Sequence, residues 1–142
     1  MNEQARWDMI HGLDEDLLKG GVLLSEWCSW IVREADLAFA NGADLASVLT
    51  AMAGIETYLR SEFSQTGKER LSDLINLAQF DAQLTKSLHL LRKYRNKWVH
   101  VSDPWDDTTL LVHPQQYAQE LEDMALLAAK TLRQVLYENQ WV

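Results

Sequence analysis

The sequence predicts an all-α protein, an up-and-down bundle of four main helices with an extra short helix. Apolar residues recur every three or four positions along most of the chain, which is the period of a helix with one buried face. No segment shows the alternation of β-branched residues that is typical of a strand. Hydrophobic residues make up 47% of the 142 positions and only two are proline, so a single folded domain over residues 1–142 is expected.

Turn and capping signals set the expected helix boundaries. A glycine pair at 20–21 ends the first helix, and the Asn-Gly pair at 41–42 ends the second. Asp44 begins the third helix, and Pro114, which suits a first helical turn, begins the last one. The expected helices are a first, looser helix at 3–18, the four main helices at 22–40, 44–63, 82–100 and 114–139, and the short helix at 69–78, with one long loop at 101–113.

Arg95, Asn96 and His100 stand close together near the end of the expected helix 82–100. The apolar stripe that contains the arginine comprises Leu84, Leu88, Leu91, Arg95 and Trp98. Its spacings of 4, 3, 4 and 3 place Arg95 in the buried seam of the bundle. Burying a guanidinium is costly without a carboxylate, a phosphate or several acceptors beside it, so Arg95 is expected to have such a partner.

Two acidic residues that also interrupt apolar stripes are candidate partners for Arg95. Glu34 follows Trp27 and Trp30 on the second helix, and Glu56 lies on the stripe of the third. Both carboxylates are expected to face inward, with the tryptophans filling the core. Either one would neutralise Arg95 and orient its donors, or would instead lie at a stripe edge and reach water.

Arg95 and His100 do not converge on an ideal helix, where residues five apart lie roughly 140° from each other. Asn96 and His100, four residues apart, share a face. The arginine and the histidine meet if the helix loosens near His100, which the Ser-Asp-Pro turn signal at 102–104 allows. Alternatively, two copies of the motif face each other across a symmetric dimer, which gives a composite site.

The Arg-Asn pair followed by a histidine, at a helix end in a short all-α chain, resembles the HEPN superfamily. Residues 55–60 are similar to the family's earlier helix with its acidic residue, here Glu56, which makes Glu56 the preferred partner of Arg95. Residues 71–75 are similar to the family's short connecting helix. The resemblance implies a metal-independent endoribonuclease that acts as a dimer in prokaryotic toxin–antitoxin or defence systems. Ser102 stands where members modified by a nucleotidyltransferase carry tyrosine, which argues against such a pairing.

The residue types suit RNA cleavage. RNA supplies its own nucleophile, the 2′-hydroxyl, so an enzyme needs a proton acceptor, a proton donor and a cation at the phosphate. Histidine is the side chain most often used for general acid–base catalysis, which suits His100 to this role, and Arg95 offers a planar set of donors. Asn96 would hold the imidazole or the phosphate. Such chemistry leaves a 2′,3′-cyclic phosphate and needs no cofactor.

Two other functions remain open at this point. The first is a non-catalytic HEPN-like module that binds a nucleotide, RNA or protein partner in the same cleft. The second is a helical adaptor unrelated to the family, in which Arg95 belongs only to a buried ion pair. No spacing of histidine, cysteine and carboxylate residues indicates a metal site.

The net charge of −8 repels a phosphate backbone at long range and argues against a general nucleic-acid binder. However, Arg92, Lys93 and Lys97 concentrate positive charge beside Arg95, and we expect them to contact the RNA substrate unless they form a solvated face.

Cysteine usage and hydropathy indicate the compartment. Cys28 is the only cysteine, and neither a signal peptide nor a membrane-spanning run is present, so a cytoplasmic protein without membrane attachment is expected. The expected partners are RNA, a second copy of the chain, and an antitoxin or another protein.

Overall fold

The computed structural model describes residues 1–105 and 110–141, and within them the chain is an all-α bundle, which confirms the predicted fold class. Its helices are α1 (Glu3–Leu17), α2 (Glu26–Ala40), α3 (Asp44–Phe63), α4 (Leu71–Ala78), α5 (Ala82–Val99) and α6 (Pro114–Leu136). The described residues contain no strand beyond one isolated bridge between Gly21 and Trp141. None of the described helices is both long and apolar enough to span a membrane.

Helix α3 lies at the centre of the bundle and packs against α2, α4, α5 and α6. Gly54 permits this close packing, because a Cβ atom there would lie 3.0 Å from Ile31 Cγ2 and 3.3 Å from Leu132 Cδ1. One hydrophobic cluster contains buried residues from all six helices. The position of α3 matters for function, because its solvent-facing side carries Glu56, the carboxylate that reaches the motif on α5.

Helix α2 begins at Glu26, four residues later than the sequence predicted. Ser25 caps it by accepting a hydrogen bond of 3.1 Å from the backbone N–H of Cys28. The preceding segment is extended because Gly21 exchanges two backbone hydrogen bonds with Trp141, at 2.7 and 2.9 Å. A Cβ on Gly21 would lie 2.8 Å from the indole of Trp141, so any other residue here would require this exposed ring to shift.

The buried face of α2 differs from the predicted one. Cys28, Ala35 and Phe39 face the core, whereas Trp27 and Trp30 are 78% and 62% exposed. The expectation that these tryptophans fill the core is therefore wrong. The buried face of α2 is rotated from the predicted face by about one residue, or roughly 100°. The physical reason is that the small side chains of Cys28 and Ala35 let the backbone of α2 approach α3 closely, which indole rings at the contact would prevent.

Two arginines are buried in the core, and the apolar pattern of the sequence singled out neither. Arg6 on α1 donates hydrogen bonds to both carboxylate oxygens of Asp44, at the start of α3. Arg133 on α6 donates to Asp14 on α1 at 2.8 Å and to Asp36 on α2 at 2.7 Å. Each arginine therefore ties helices together through charge-assisted hydrogen bonds inside the bundle.

Glu69 closes the loop between α3 and α4 and lies outside the short helix, which begins at Leu71 and was predicted to begin at Glu69. Its carboxylate accepts hydrogen bonds from the backbone N–H groups of Gln65 and Thr66, at 2.6 and 3.2 Å. The hydroxyls of Ser64 and Thr66 donate to it at 2.7 and 3.1 Å. These donors hold the pKa of Glu69 well below its ordinary value, and the Gln65 N–H has the largest effect among them.

We expect Glu69→Gln to lower stability at pH 7 and to have a smaller effect in acid. A carboxyl whose pKa is lowered in the folded state stabilises the protein above its unfolded pKa of about 4.3, and this contribution is lost as the pH falls toward the folded pKa. Urea unfolding of both proteins at pH 7 and pH 3 measures the difference. Glu3→Gln on the exposed first turn of α1 is the control, and an equal Glu69→Gln effect at both pH values would contradict the prediction.

Candidate functional site

Arg95 lies at the edge of the core, and the expectation that it is buried in the seam is wrong. Its side chain is 23% exposed, and the neighbouring Tyr94 is the buried residue of that turn. The inner stripe of α5 runs through Leu88 and Leu91 to Tyr94, with a spacing of three at each step. A phenol ring fills the seam without the desolvation cost of a guanidinium, so the helix turns Arg95 toward the solvent boundary.

Of the two candidate carboxylates, only Glu56 reaches Arg95. The Nη1 atom of Arg95 donates to Glu56 Oε1 at 3.4 Å, across the contact between α5 and α3. Glu34 lies elsewhere, with a side chain that is 46% exposed and paired with Arg33 at 3.0 Å. Its expected inward orientation is wrong for the same reason as that of the α2 tryptophans, because the buried face of α2 is rotated away from it.

Asn96 contacts the arginine directly. Its Oδ1 atom accepts from Nε and Nη2 of Arg95, at 3.3 and 3.0 Å. The expectation was that Asn96 holds the imidazole or the phosphate, and here its oxygen orients the guanidinium. Arg95 thus has a carboxylate on one side and an amide oxygen on the other, which fix the plane of its donors.

Helix α5 ends directly before His100, which is the C-cap residue with φ −127° and ψ 58°. Its backbone N–H still donates to Asn96 O at 2.9 Å, while its own dihedral angles leave the helical range. This change of direction brings the exposed His100 side chain to the same cleft as Arg95 and Asn96. The helix end at His100 thus corresponds to the first of the two expected routes, and Arg95 and His100 line one cleft within a single chain.

The cleft that contains the motif has a volume of about 320 Å³ and is hereafter called the arginine cleft. It is lined by Arg70, Leu71, Ser72, Arg92, Arg95, Asn96 and His100, and no carboxylate is among these residues. The N-terminus of α4 also opens here, since no side chain caps it. Unpaired N–H groups at a helix start favour an anion, and three guanidinium groups act in the same direction.

The three basic residues expected to contact the substrate are placed differently. Arg92 lines the arginine cleft, and its Nε donates to His89 Nδ1 at 3.3 Å. Lys93 does not line this cleft, and Lys97 points toward α6, where it lies 3.9 Å from Glu120. Burial and then the charges of Arg92 and Lys93 lower the pKa of His89, which agrees with a positive potential on this side of α5.

Three residues that line the arginine cleft were not among the predicted site residues: Arg70, Leu71 and Ser72. All three lie at the start of α4, which the sequence placed at Glu69, two residues too early. The cluster Lys68-Glu69-Arg70 before an apolar run was the available signal. The Glu69 carboxylate accepts its hydrogen bonds from Ser64 and Gln65 in the loop before α4. Arg70 therefore has no ion pair among the described residues.

Comparisons of the chain with protein-family models, with curated proteins and with solved structures gave no match. Within residues 1–105 and 110–141, no group of three histidine, cysteine, aspartate or glutamate side chains lies in an arrangement that could hold a metal ion. The geometry of the arginine cleft is therefore the main indication of function.

Proposed function

We propose that the chain is a HEPN-type, metal-independent endoribonuclease of a prokaryotic toxin–antitoxin or defence system. The observation that carries this proposal is the convergence of Arg95, Asn96 and His100 on one cleft with Arg70 and Arg92. In a chain of net charge −8, a cleft with three guanidinium groups and no carboxylate is a local exception that suits a phosphodiester. The resemblance of the motif to the HEPN superfamily supports the same conclusion.

In the proposed reaction the ribose 2′-oxygen attacks the adjacent phosphorus, an O2′–P bond forms and the P–O5′ bond breaks. One group accepts the 2′-hydroxyl proton and another donates a proton to the leaving 5′-oxygen, which gives a 2′,3′-cyclic phosphate and a 5′-hydroxyl end. Arg95 stabilises the charge that develops on the phosphoryl oxygens, and Asn96 and Glu56 hold its plane. His100 performs one of the two proton transfers.

A second copy of the chain would supply the other proton-transfer group. One His100 lines each arginine cleft, and it is exposed at the helix end, where a symmetric partner could approach it. A twofold axis beside this helix end would bring two copies of the motif together and double the local positive charge. The proposed active form is therefore a homodimer.

The test is RNA cleavage in EDTA by the wild type, Arg95→Ala and His100→Ala, on a mixture of structured and single-stranded RNAs. We expect the wild type to leave 2′,3′-cyclic phosphate ends. Each substitution is expected to lower the rate by at least about 100-fold, the usual loss when a positioned transition-state donor or a general acid–base group is removed. End analysis with a cyclic-phosphate-specific ligase reads out the product.

Arg33→Ala is the matched control, because Arg33 is an exposed arginine on α2 whose salt bridge is to Glu34. It is expected to cut RNA at the wild-type rate, and circular dichroism checks that all four proteins fold. If the wild type cuts nothing, or if all the proteins cut alike, the proposal is wrong and the arginine cleft is a binding site without turnover.

A further inference from the structure

Arg95 lines two clefts, and only one of them has a role in the proposed cleavage. The second, hereafter the α3 cleft, has a volume of about 520 Å³, within the size range of small-molecule sites. Its lining residues are Ala53, Glu56, Thr57, Arg60, Ser61 and Arg95. A phosphate bound beside Arg95 in the arginine cleft would therefore have this second cleft next to it.

Glu56 has hydrogen-bonding capacity left in the α3 cleft. One carboxylate oxygen accepts from Arg95 at 3.4 Å and the other from Arg60 at 3.5 Å, and both bonds are long. An ionised carboxylate offers about four acceptor positions, so each oxygen can accept a further N–H donor. The side chain is 33% exposed, which makes these positions accessible to a ligand.

The other walls of the α3 cleft are a fixed guanidinium and small side chains. Arg60 donates to the backbone carbonyls of Gly67 at 3.3 Å and Glu69 at 3.1 Å, which hold its plane against the loop before α4. A flat guanidinium is a stacking surface for a nucleobase. The Thr57 hydroxyl donates to Ala53 O at 2.8 Å within its own helix, so Thr57 contributes the shape of this wall rather than a donor for a ligand.

We propose that the α3 cleft binds the nucleobase next to the phosphate held in the arginine cleft, and that it prefers guanine. This inference rests on the proposed function, because it takes the phosphate to be that of an RNA substrate. Guanine is the RNA base with two adjacent N–H donors on its pairing edge, which match the two oxygens of Glu56. Uracil presents one donor between two carbonyl oxygens, and these would be repelled by the carboxylate.

The first experiment measures binding by calorimetry and needs no cleavage. The 3′- and 5′-monophosphates of guanosine and of uridine are titrated into the full chain. We expect guanosine nucleotides to bind at least about tenfold more tightly than the matching uridine nucleotides, in line with the discrimination of a bidentate base contact. Equal affinities for the two bases would overturn the proposal.

Two substitutions at one exposed position locate the preference. Thr57→Trp fills the α3 cleft from the surface of α3, and Thr57→Val keeps the shape while it removes the hydroxyl. Thr57→Trp is expected to abolish the difference between guanosine and uridine nucleotides, and Thr57→Val to keep it. Binding of inorganic phosphate, which needs only the arginine cleft, should be alike in both variants. A base preference that survives Thr57→Trp would overturn the assignment to this cleft.

Mapping of cut sites separates this inference from the proposed function. Cleavage enriched next to guanosine supports both. Cleavage that depends on Arg95 and His100 but shows no base preference supports the ribonuclease and overturns the guanine site. A guanosine preference in binding, with no cleavage by the wild type, supports the guanine site and overturns catalysis.

Discussion

Arg133→Ala is expected to lower the free energy of unfolding by about 3–5 kcal/mol, the usual loss when one partner of a buried ion pair is removed. The side chain of Arg133 is 2% exposed and binds carboxylates from two different helices, Asp14 on α1 and Asp36 on α2. Without the guanidinium, the largely buried carboxylate of Asp36 would lose the cation that it binds, while Asp14, 37% exposed, would still reach water. Tyr137, whose hydroxyl donates to Asp14 at 2.7 Å, cannot supply that charge.

Urea denaturation followed by tryptophan fluorescence measures this loss, with Arg33→Ala as the control. Arg33 pairs with Glu34 on the surface of α2, where ion pairs contribute about 0–1 kcal/mol. Should Arg133→Ala not fold, Arg133→Lys provides the comparison, because it keeps the charge but cannot bridge both carboxylates as a planar fork does. A loss of less than 1 kcal/mol for Arg133→Ala would show that α1 and α2 do not depend on this cation.

The sequence predicted the helices well where a local signal marks their ends. Asp44 begins α3 and Pro114 lies in the first turn of α6, as expected. The start of α2 was missed because the pairing of Gly21 with Trp141 joins positions 120 residues apart. No local pattern contains that information, and the tertiary contact overrides the apolar run that suggested a longer helix.

Faces of helices were harder to predict than their ends. On α2 the sequence favoured the large residues Trp27 and Trp30 for the core, whereas close packing against α3 selected Cys28 and Ala35. Size and hydrophobicity indicate how much free energy a side chain contributes on burial, but the distance between helix axes decides which side chains fit.

The candidate site was partly predictable for a related reason. Arg95, Asn96 and His100 are close in sequence, so their common cleft required only a helix end between Val99 and His100. Arg70 comes from another helix and depends on where α4 begins, which the sequence placed two residues early. The buried arginines are instead Arg6 and Arg133. The sequence could not identify them, because their carboxylate partners lie on distant segments that no periodicity connects.

Arg95→Lys is expected to lower the rate of RNA cleavage by about 100-fold or more, although it keeps the positive charge. Removal of one positioned donor from a transition-state site typically costs 10²–10³ in rate, and lysine cannot present the paired N–H groups of a guanidinium. In this chain the guanidinium plane is set by Asn96 Oδ1, at 3.0 and 3.3 Å, and by Glu56 Oε1 at 3.4 Å. An ammonium group could not contact Asn96 Oδ1 and Glu56 Oε1 and also present two parallel N–H donors to the phosphate.

The matched variant is Arg92→Lys, on the same helix and in the same cleft. Arg92 contacts His89 through Nε and has no carboxylate partner among the described residues, so its proposed role is that of a charge near the RNA backbone. Lysine preserves that charge, and we expect a loss of less than about tenfold, mainly in KM and dependent on salt. The loss in Arg95→Lys should instead fall on kcat. Equal losses in both variants would mean that Arg95 contributes only charge, and the transition-state role proposed for its fork would be wrong.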